Sequence, residues 1–140
     1  MDSPGLQSSL LRSYWNYQTL SVVVVDAETF LSQRASKSRS QFYSKFLENT
    51  ILACSARLST SFAVRALGEE YAKRAKSELI TELDGATMAT LQGLLLLSDY
   101  EMTSARDRVG WIYCGIDYLS FLRGVLTISH TARHCIPPCI

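Results

Sequence analysis

The chain is 140 residues long, which is the usual range for one domain and enough to bury a moderate core. With 47% hydrophobic and 19% charged residues it is too apolar for a disordered chain, yet it holds no run of the roughly eighteen apolar residues that a membrane span needs. A net charge of +1 provides no general attraction to nucleic acid, where clustered Lys and Arg are expected.

The N-terminus, MDSPGLQSSLL, lacks a basic stretch followed by an apolar one, so a secretory signal is not expected. Four β-branched residues, Val22 to Val25, lose side-chain freedom in a helix and predict an extended connector too short to found a sheet. Asp26 is placed to cap a short helix running through Phe30. The next segment carries Arg34, Lys37, Arg39 and Lys45 with no acidic residue, and serine is interspersed at 32, 36, 38, 40 and 44. It reads as a solvated basic loop rather than a phosphate-binding or localisation patch.

Helical periodicity dominates from there on. Phe42, Phe46, Leu47, Ile51, Cys54 and Leu58 recur at three- and four-residue steps and predict a core-facing stripe, with Lys45, Glu48 and Asn49 on the solvent side. Leu67, Tyr71, Ala75, Leu79 and Leu83 repeat the pattern, with Glu69/Lys73 and Glu70/Arg74 as i,i+4 pairs, acid first. Asp84-Gly85 closes that helix through a left-handed glycine. Thr87 is the expected N-cap of a helix starting near Met88, whose Leu91, Leu94, Leu95, Leu96 and Leu97 cover almost its full circumference. That predicts a central helix. Thr103, Ser104 and Asp107 supply a turn, after which Val109, Ile112, Tyr113 and Ile116 define the inward stripe of a fourth helix. Leu91, Leu95, Ile112, Tyr113 and Ile116 are expected in one core with Trp111 at its margin, and the small Gly110 and Cys114 should let two helices approach closely. No repeat period indicates a solenoid.

Chemistry-bearing constellations are few. His130, His134, Cys135 and Cys139, spaced H-x3-H-C-x3-C, are competent zinc ligands once deprotonated. Four ligands within ten residues, stiffened by Pro137-Pro138, leave little chain to enclose a core, so no metal site is expected. Cys54 and Cys114 read as small buried hydrophobes, and all four cysteines suit a reducing compartment. Cys135 with His130 or His134 lacks a visible third group and oxyanion site. Asp99, Glu101 and Asp107 stand at a helix end and turn, where solvated capping or pairing with Arg106 and Arg108 is the ordinary role. No glycine loop of phosphate-cradling form appears. No catalytic residue is expected.

Residues 91–116, LQGLLLLSDYEMTSARDRVGWIYCGI, resemble the core of the fungal transcription factor regulatory domain, also called the middle homology region or xylanolytic-activator type. It follows a zinc binuclear cluster in many fungal regulators. The motif is a leucine-rich helix, Ser-x-Tyr, a polar turn with Arg, and Trp-x-Tyr-x-Gly on a second helix. It falls here on Thr90, Gln92, Ser98, Tyr100, Arg106, Arg108, Gly110, Trp111, Tyr113 and Gly115. Upstream, residues 10–30 are similar to the domain's opening, ending on Thr29-Phe30. Where the family continues as an Ala-x-Arg-x-Ala helix, this chain turns at Asp117 to DYLSFLRGVLTISHTARHCIPPCI.

The expectation is an all-α, irregular multi-helix bundle, incomplete at the C-terminus. Residues 1–116 would form a partial regulatory domain and residues 117–140 a divergent tail, with 118–126 extending the last helix and 128–140 irregular. The resemblance implies a nuclear regulator fragment acting through protein partners or a small-molecule effector. Zinc and DNA contact would belong to a six-cysteine cluster of the C-x2-C-x6-C type, which this chain lacks. A mis-spliced helical interaction module and an unrelated helical enzyme are the alternatives. Lost downstream helices would leave Leu94 to Leu97 partly uncovered and favour self-association.

Overall fold

A computed structural model describes residues 3–16, 24–119 and 121. Five helices are bounded as α1 (Pro4–Asn16), α2 (Ala27–Arg34), α3 (Lys45–Arg57), α4 (Phe62–Asp84) and α5 (Met88–Thr103). A sixth helical stretch, α6, covers 107–119. Among the described residues there is no strand, and the class is all-α.

The helix starts follow from short polar side chains. Asp26 is extended at φ −74°, ψ 123°, and its carboxylate accepts the Thr29 N–H at 3.0 Å and the Thr29 hydroxyl at 2.7 Å. Those bonds from Thr29 hold the Asp26 carboxyl below its ordinary range. α2 runs a full turn past Phe30, to Arg34. Ser44 receives the Leu47 N–H at 3.1 Å, and Thr87 stands extended before α5, its own N–H bound to the Thr90 hydroxyl at 3.0 Å. α4 ends at Asp84 as its sequence predicts, but Gly85 takes φ −135°, ψ 62° rather than a left-handed conformation. The Arg39 guanidinium donates to the Gly85 carbonyl, and the Gly85 N–H donates to the Glu82 carbonyl within the last turn.

The central element is α3, not α5. It touches α1, α4 and α5, and every residue from Phe46 to Ala56 is buried. The solvent side expected at Glu48 and Asn49 therefore does not exist: Glu48 is 3% exposed. Phe42 precedes the helix, and Leu58, at its C-cap, is 57% exposed. In α4 the stripe is as read, with Tyr71, Ala75 and Leu79 buried. Lys73 reaches Glu70, three residues back, at 3.7 Å.

Two apolar clusters fill the interior. One gathers α1, α2, α3 and α4 with Ala89, Leu96 and Tyr100 of α5, and includes the aromatic run Tyr14, Trp15, Phe30 and Tyr43, whose successive ring centroids lie 5.2, 5.7 and 5.5 Å apart. The other unites Phe46, Ala75, Leu79, Leu94 and Leu97, with Leu83, Tyr113 and Ile116 against it. Gly93 is required by this packing, since a Cβ there would run into the Phe46 ring.

The leucine layer is covered rather than open. Leu94 and Leu97 are fully buried and Leu96 nearly so, while Leu95 is 42% exposed and outside the core in which it was expected. A helix apolar around its circumference conceals which leucine faces outward.

The basic segment is not a solvated loop. Arg34 binds Glu48 at 3.0 Å, Lys45 binds Glu48 at 3.6 Å, and Arg39 binds Glu82 at 3.1 Å. Glu48 and Glu82 are buried, and Tyr43 and Thr90 hydroxyls also donate to them. Those cations neutralise acids within the bundle, as buried charges require.

Candidate functional site

The motif residues converge on the corner between α5 and α6. The Ser98 hydroxyl donates to the Gly110 carbonyl at 2.8 Å, tying the middle of α5 to the first turn of α6. A Cβ on Gly110 would lie 2.6 Å from Met102 Cγ and 3.0 Å from the Ser98 carbonyl oxygen, so only glycine admits this approach. The turn itself needs Ala105 at φ 62°. That is costly for a residue with a Cβ, and is held by the Arg106 N–H donating to the Glu101 carbonyl at 2.9 Å.

Glu101 makes the expected pair with Arg106 but makes it inside the bundle rather than in solvent. It is fully buried, its carboxylate accepting from Arg106 and meeting the Lys76 ammonium of α4. The bond to Glu101 raises the Arg106 pKa further. This acid is a structural lock, not a solvated cap. Asp99 and Asp107 are exposed, and Asp99 pairs with Arg57 at 3.3 Å. Tyr100 is buried at 4%, with the Arg57 guanidinium 6.0 Å from its ring. Burial pushes its phenol above the ordinary range, leaving it neutral at physiological pH.

Gln92 acts at the opposite end of α5. Its amide donates to the Val24 carbonyl at 2.8 Å, while Trp15 Nε1 donates to the Val25 carbonyl at 2.9 Å. The described end of the valine connector is thus pinned from two sides, and its residues 22–23 lie outside the described residues. Gln92 Oε1 is buried and has no hydrogen-bond partner, beside a cleft of about 170 Å³ lined by Val25, Asp26, Thr29, Phe30 and Phe42.

The second half of the motif turns outward. Tyr113 and Ile116 pack against the second cluster as expected, but Trp111 is 68% and Ile112 60% exposed, so neither joins the core. Arg108, Trp111, Ile112, Gly115, Tyr118 and Leu119 follow the three- and four-residue steps of one helix face, and all are exposed. Among the described residues Gly115 meets nothing within contact distance, which leaves a notch between apolar side chains. Outward apolar and inward apolar residues alternate on α6. Periodicity alone selected Ile112 with Tyr113, although the two side chains point about 100° apart.

Ligand-holding constellations are sparse here. Among the described residues no three His, Cys, Asp or Glu side chains cluster to hold a metal ion. His130, His134, Cys135 and Cys139 lie outside the described residues, as do the tail segments 122–126 and 128–140. Cys54 is buried, its thiol directed to the Leu96 carbonyl at 3.5 Å and pushed up to about 12 by burial. Cys114 is half-buried on α6. Neither fits the thiolate donor set that zinc requires. Among the described residues no helix is long and apolar enough to cross a membrane.

No solved structure matches the chain. It is similar to the nitrogen assimilation transcription factor nirA of Emericella nidulans, 28% identical over 142 aligned positions that cover 94% of this chain and 16% of that protein. The chain thus spans about one sixth of the length of the curated relative it matches. The family model of the fungal specific transcription factor domain matches residues 11–117, taking in both the pinned connector and the α5–α6 corner, and the chain belongs to that family of transcription regulators.

Proposed function

We propose that this chain is a protein-contacting regulatory part of a fungal transcription regulator acting in the nucleus, and that it makes its contact through the outer face of α6. The observation that carries the reading is the row Trp111, Ile112, Tyr118 and Leu119, exposed by 68, 60, 62 and 65%. An apolar, aromatic surface of that kind resembles the interior of a protein interface. Arg108 flanks it, so the occupant is an apolar helical protein surface with an acidic edge.

Two other readings are less well supported. The cleft beside Gln92, at about 170 Å³, is well below the roughly 300–1,000 Å³ of small-molecule sites, and the half-open groove of about 380 Å³ between α1 and α3, lined by Leu6, Leu10, Ser55 and Val64, reaches only the bottom of that range. DNA contact needs free cations, whereas Arg34, Arg39, Lys45, Arg57, Lys76 and Arg106 are all engaged with acids of this chain. Reading a promoter, and the zinc that supports it, belongs on this view to a region with a cysteine cluster.

The test is the Trp111→Glu/Ile112→Glu double substitution made at the native gene. Both side chains are exposed, so the helical content and melting temperature of the purified chain should persist while the regulated transcripts lose their response. An unchanged response with the protein present at normal level would reject the α6 face, and would favour a helical module without regulatory output.

A further inference from the structure

The loop after α2 sets two exposed serines beside Lys37 and between two arginines, Arg34 and Arg39, that are engaged with buried acids. Ser36 and Ser38 are exposed, their hydroxyls 3.3 Å apart, and they alternate with Arg34, Lys37 and Arg39. The Ser36 hydroxyl donates to the Gln33 carbonyl at 2.7 Å, capping the C-terminal turn of α2. Lys37 between them sits at φ 55°, a conformation L side chains rarely adopt. The turn is therefore held by its few hydrogen bonds and is a weak point of the surface.

We propose that Ser36 is a phosphorylation site, and that its modification releases α2 and the following loop from the bundle. A serine flanked by cations on both sides complements a serine kinase with an acidic substrate groove. The γ-phosphoryl of ATP passes to Ser36 Oγ: the Oγ–P bond forms, the bond from the γ-phosphorus to the β,γ-bridging oxygen breaks, ADP departs, and the hydroxyl proton is taken by the kinase.

Three consequences share one direction. The hydroxyl donor to Gln33 is lost. A dianion then stands at the C-terminal end of α2, where the helix dipole is already negative. It also competes for Arg34, held by Glu48 at 3.0 Å, and for Arg39, held by Glu82 at 3.1 Å. Both carboxylates are buried, so drawing the guanidinium groups outward leaves Glu82 without its cation and Glu48 with Lys45 alone, at 3.6 Å. The arginines that close the structure become the phosphate's ligands.

The purified chain treated with a basophilic serine kinase and Mg-ATP should take up one phosphoryl group, located on Ser36 by mass spectrometry and absent from Ser36→Ala. The modified chain should melt at least about 4 °C lower and exchange the amides of α2 faster. Ser36→Ala alone should shift the melt by less than half of that. In a Glu48→Gln/Glu82→Gln background the phosphate-induced shift should shrink, because the arginines are no longer needed inside. No incorporation, incorporation only at another serine, or Ser36 phosphate with unchanged melting and exchange would each overturn the proposal.

Discussion

Gly110 and Gly115 stand five residues apart on α6 and respond oppositely to one added methyl group. At Gly110 a Cβ would lie 2.6 Å from Met102 Cγ, so Gly110→Ala should cost about 1–3 kcal/mol by overpacking. At Gly115 it would meet nothing among the described residues, and Gly115→Ala should stabilise by about 0.5–1 kcal/mol through helix propensity. Urea unfolding of the two variants checks both signs, and equal shifts would contradict the corner geometry. The leucines of α5 divide in the same way. Leu97→Ala, at a fully buried position, should cost about 2–5 kcal/mol, whereas Leu95→Ala, 42% exposed, should fall well below that range. A single cysteine supplies a pH signature. Cys54 ionises near 12 in the folded chain against an ordinary 9.0. Its contribution is complete below pH 9 and is lost as pH rises toward 12, since only the unfolded thiol releases its proton there. Stability should decline between pH 9 and 10 by up to about 1.4 kcal/mol, and Cys54→Ala should flatten that slope. Tyr14, Tyr43, Tyr100 and Tyr113, also raised by burial, add a decline of the same sign that sets in around pH 10, so the difference between the parent and Cys54→Ala isolates the thiol's share.

Between elements, the ionic connections matter more than the helix stripes revealed. Arg39 crosses from the loop after α2 to Glu82 near the end of α4, 43 residues away in sequence. Arg39→Ala leaves the Glu82 carboxylate buried with only the Thr90 hydroxyl, at 3.0 Å, and should cost about 1–3 kcal/mol. Adding Glu82→Gln should recover part of that loss, because the amide carries no charge to bury, and a double-mutant cycle by urea melts measures the coupling. The four helices from α3 to α6, the Asp26 and Thr87 caps and the α4 stripe could be read from the sequence, since each depends on neighbours three or four residues away. The pairing of Arg34 and Arg39 could not, because their partners Glu48 on α3 and Glu82 on α4 are brought to them only by the tertiary fold, whereas Lys45–Glu48 is a three-residue step within α3. Glu48 was placed on the solvent side because a charged residue on an apolar helix signals exposure unless its distant cation is known, whereas the pairing of Glu101 with Arg106 was legible and only its burial against Lys76 of α4 was not. A sequence cue did exist, in that the basic segment holding Arg34 and Arg39 has no acid of its own to pair with.

Across the whole molecule, the motif residues separate into those that build the corner and those that face outward. Ser98 and Arg106 fix the corner between α5 and α6, Tyr100 packs into the first cluster, and Gln92 fastens the connector. Arg108, Trp111 and Gly115 remain on the surface. Resemblance located these residues without sorting them. An apolar face of Trp111, Ile112, Tyr118, Leu119 and Phe121, each more than half exposed, should make the isolated chain self-associate when no partner is supplied. Sedimentation from about 1 to 100 μM should show a concentration-dependent rise in mass, reversed by Trp111→Glu/Ile112→Glu at unchanged helicity. The same preparation should give no sequence-specific shift of DNA at physiological salt, because specificity requires side chains that reach base edges in addition to phosphate contacts, and Arg34, Arg39, Lys76 and Arg106 are engaged by carboxylates of the bundle. Saturable binding to one sequence against random competitor would mean that this bundle reads DNA itself, and would move the regulatory contact from the α6 face to a basic surface.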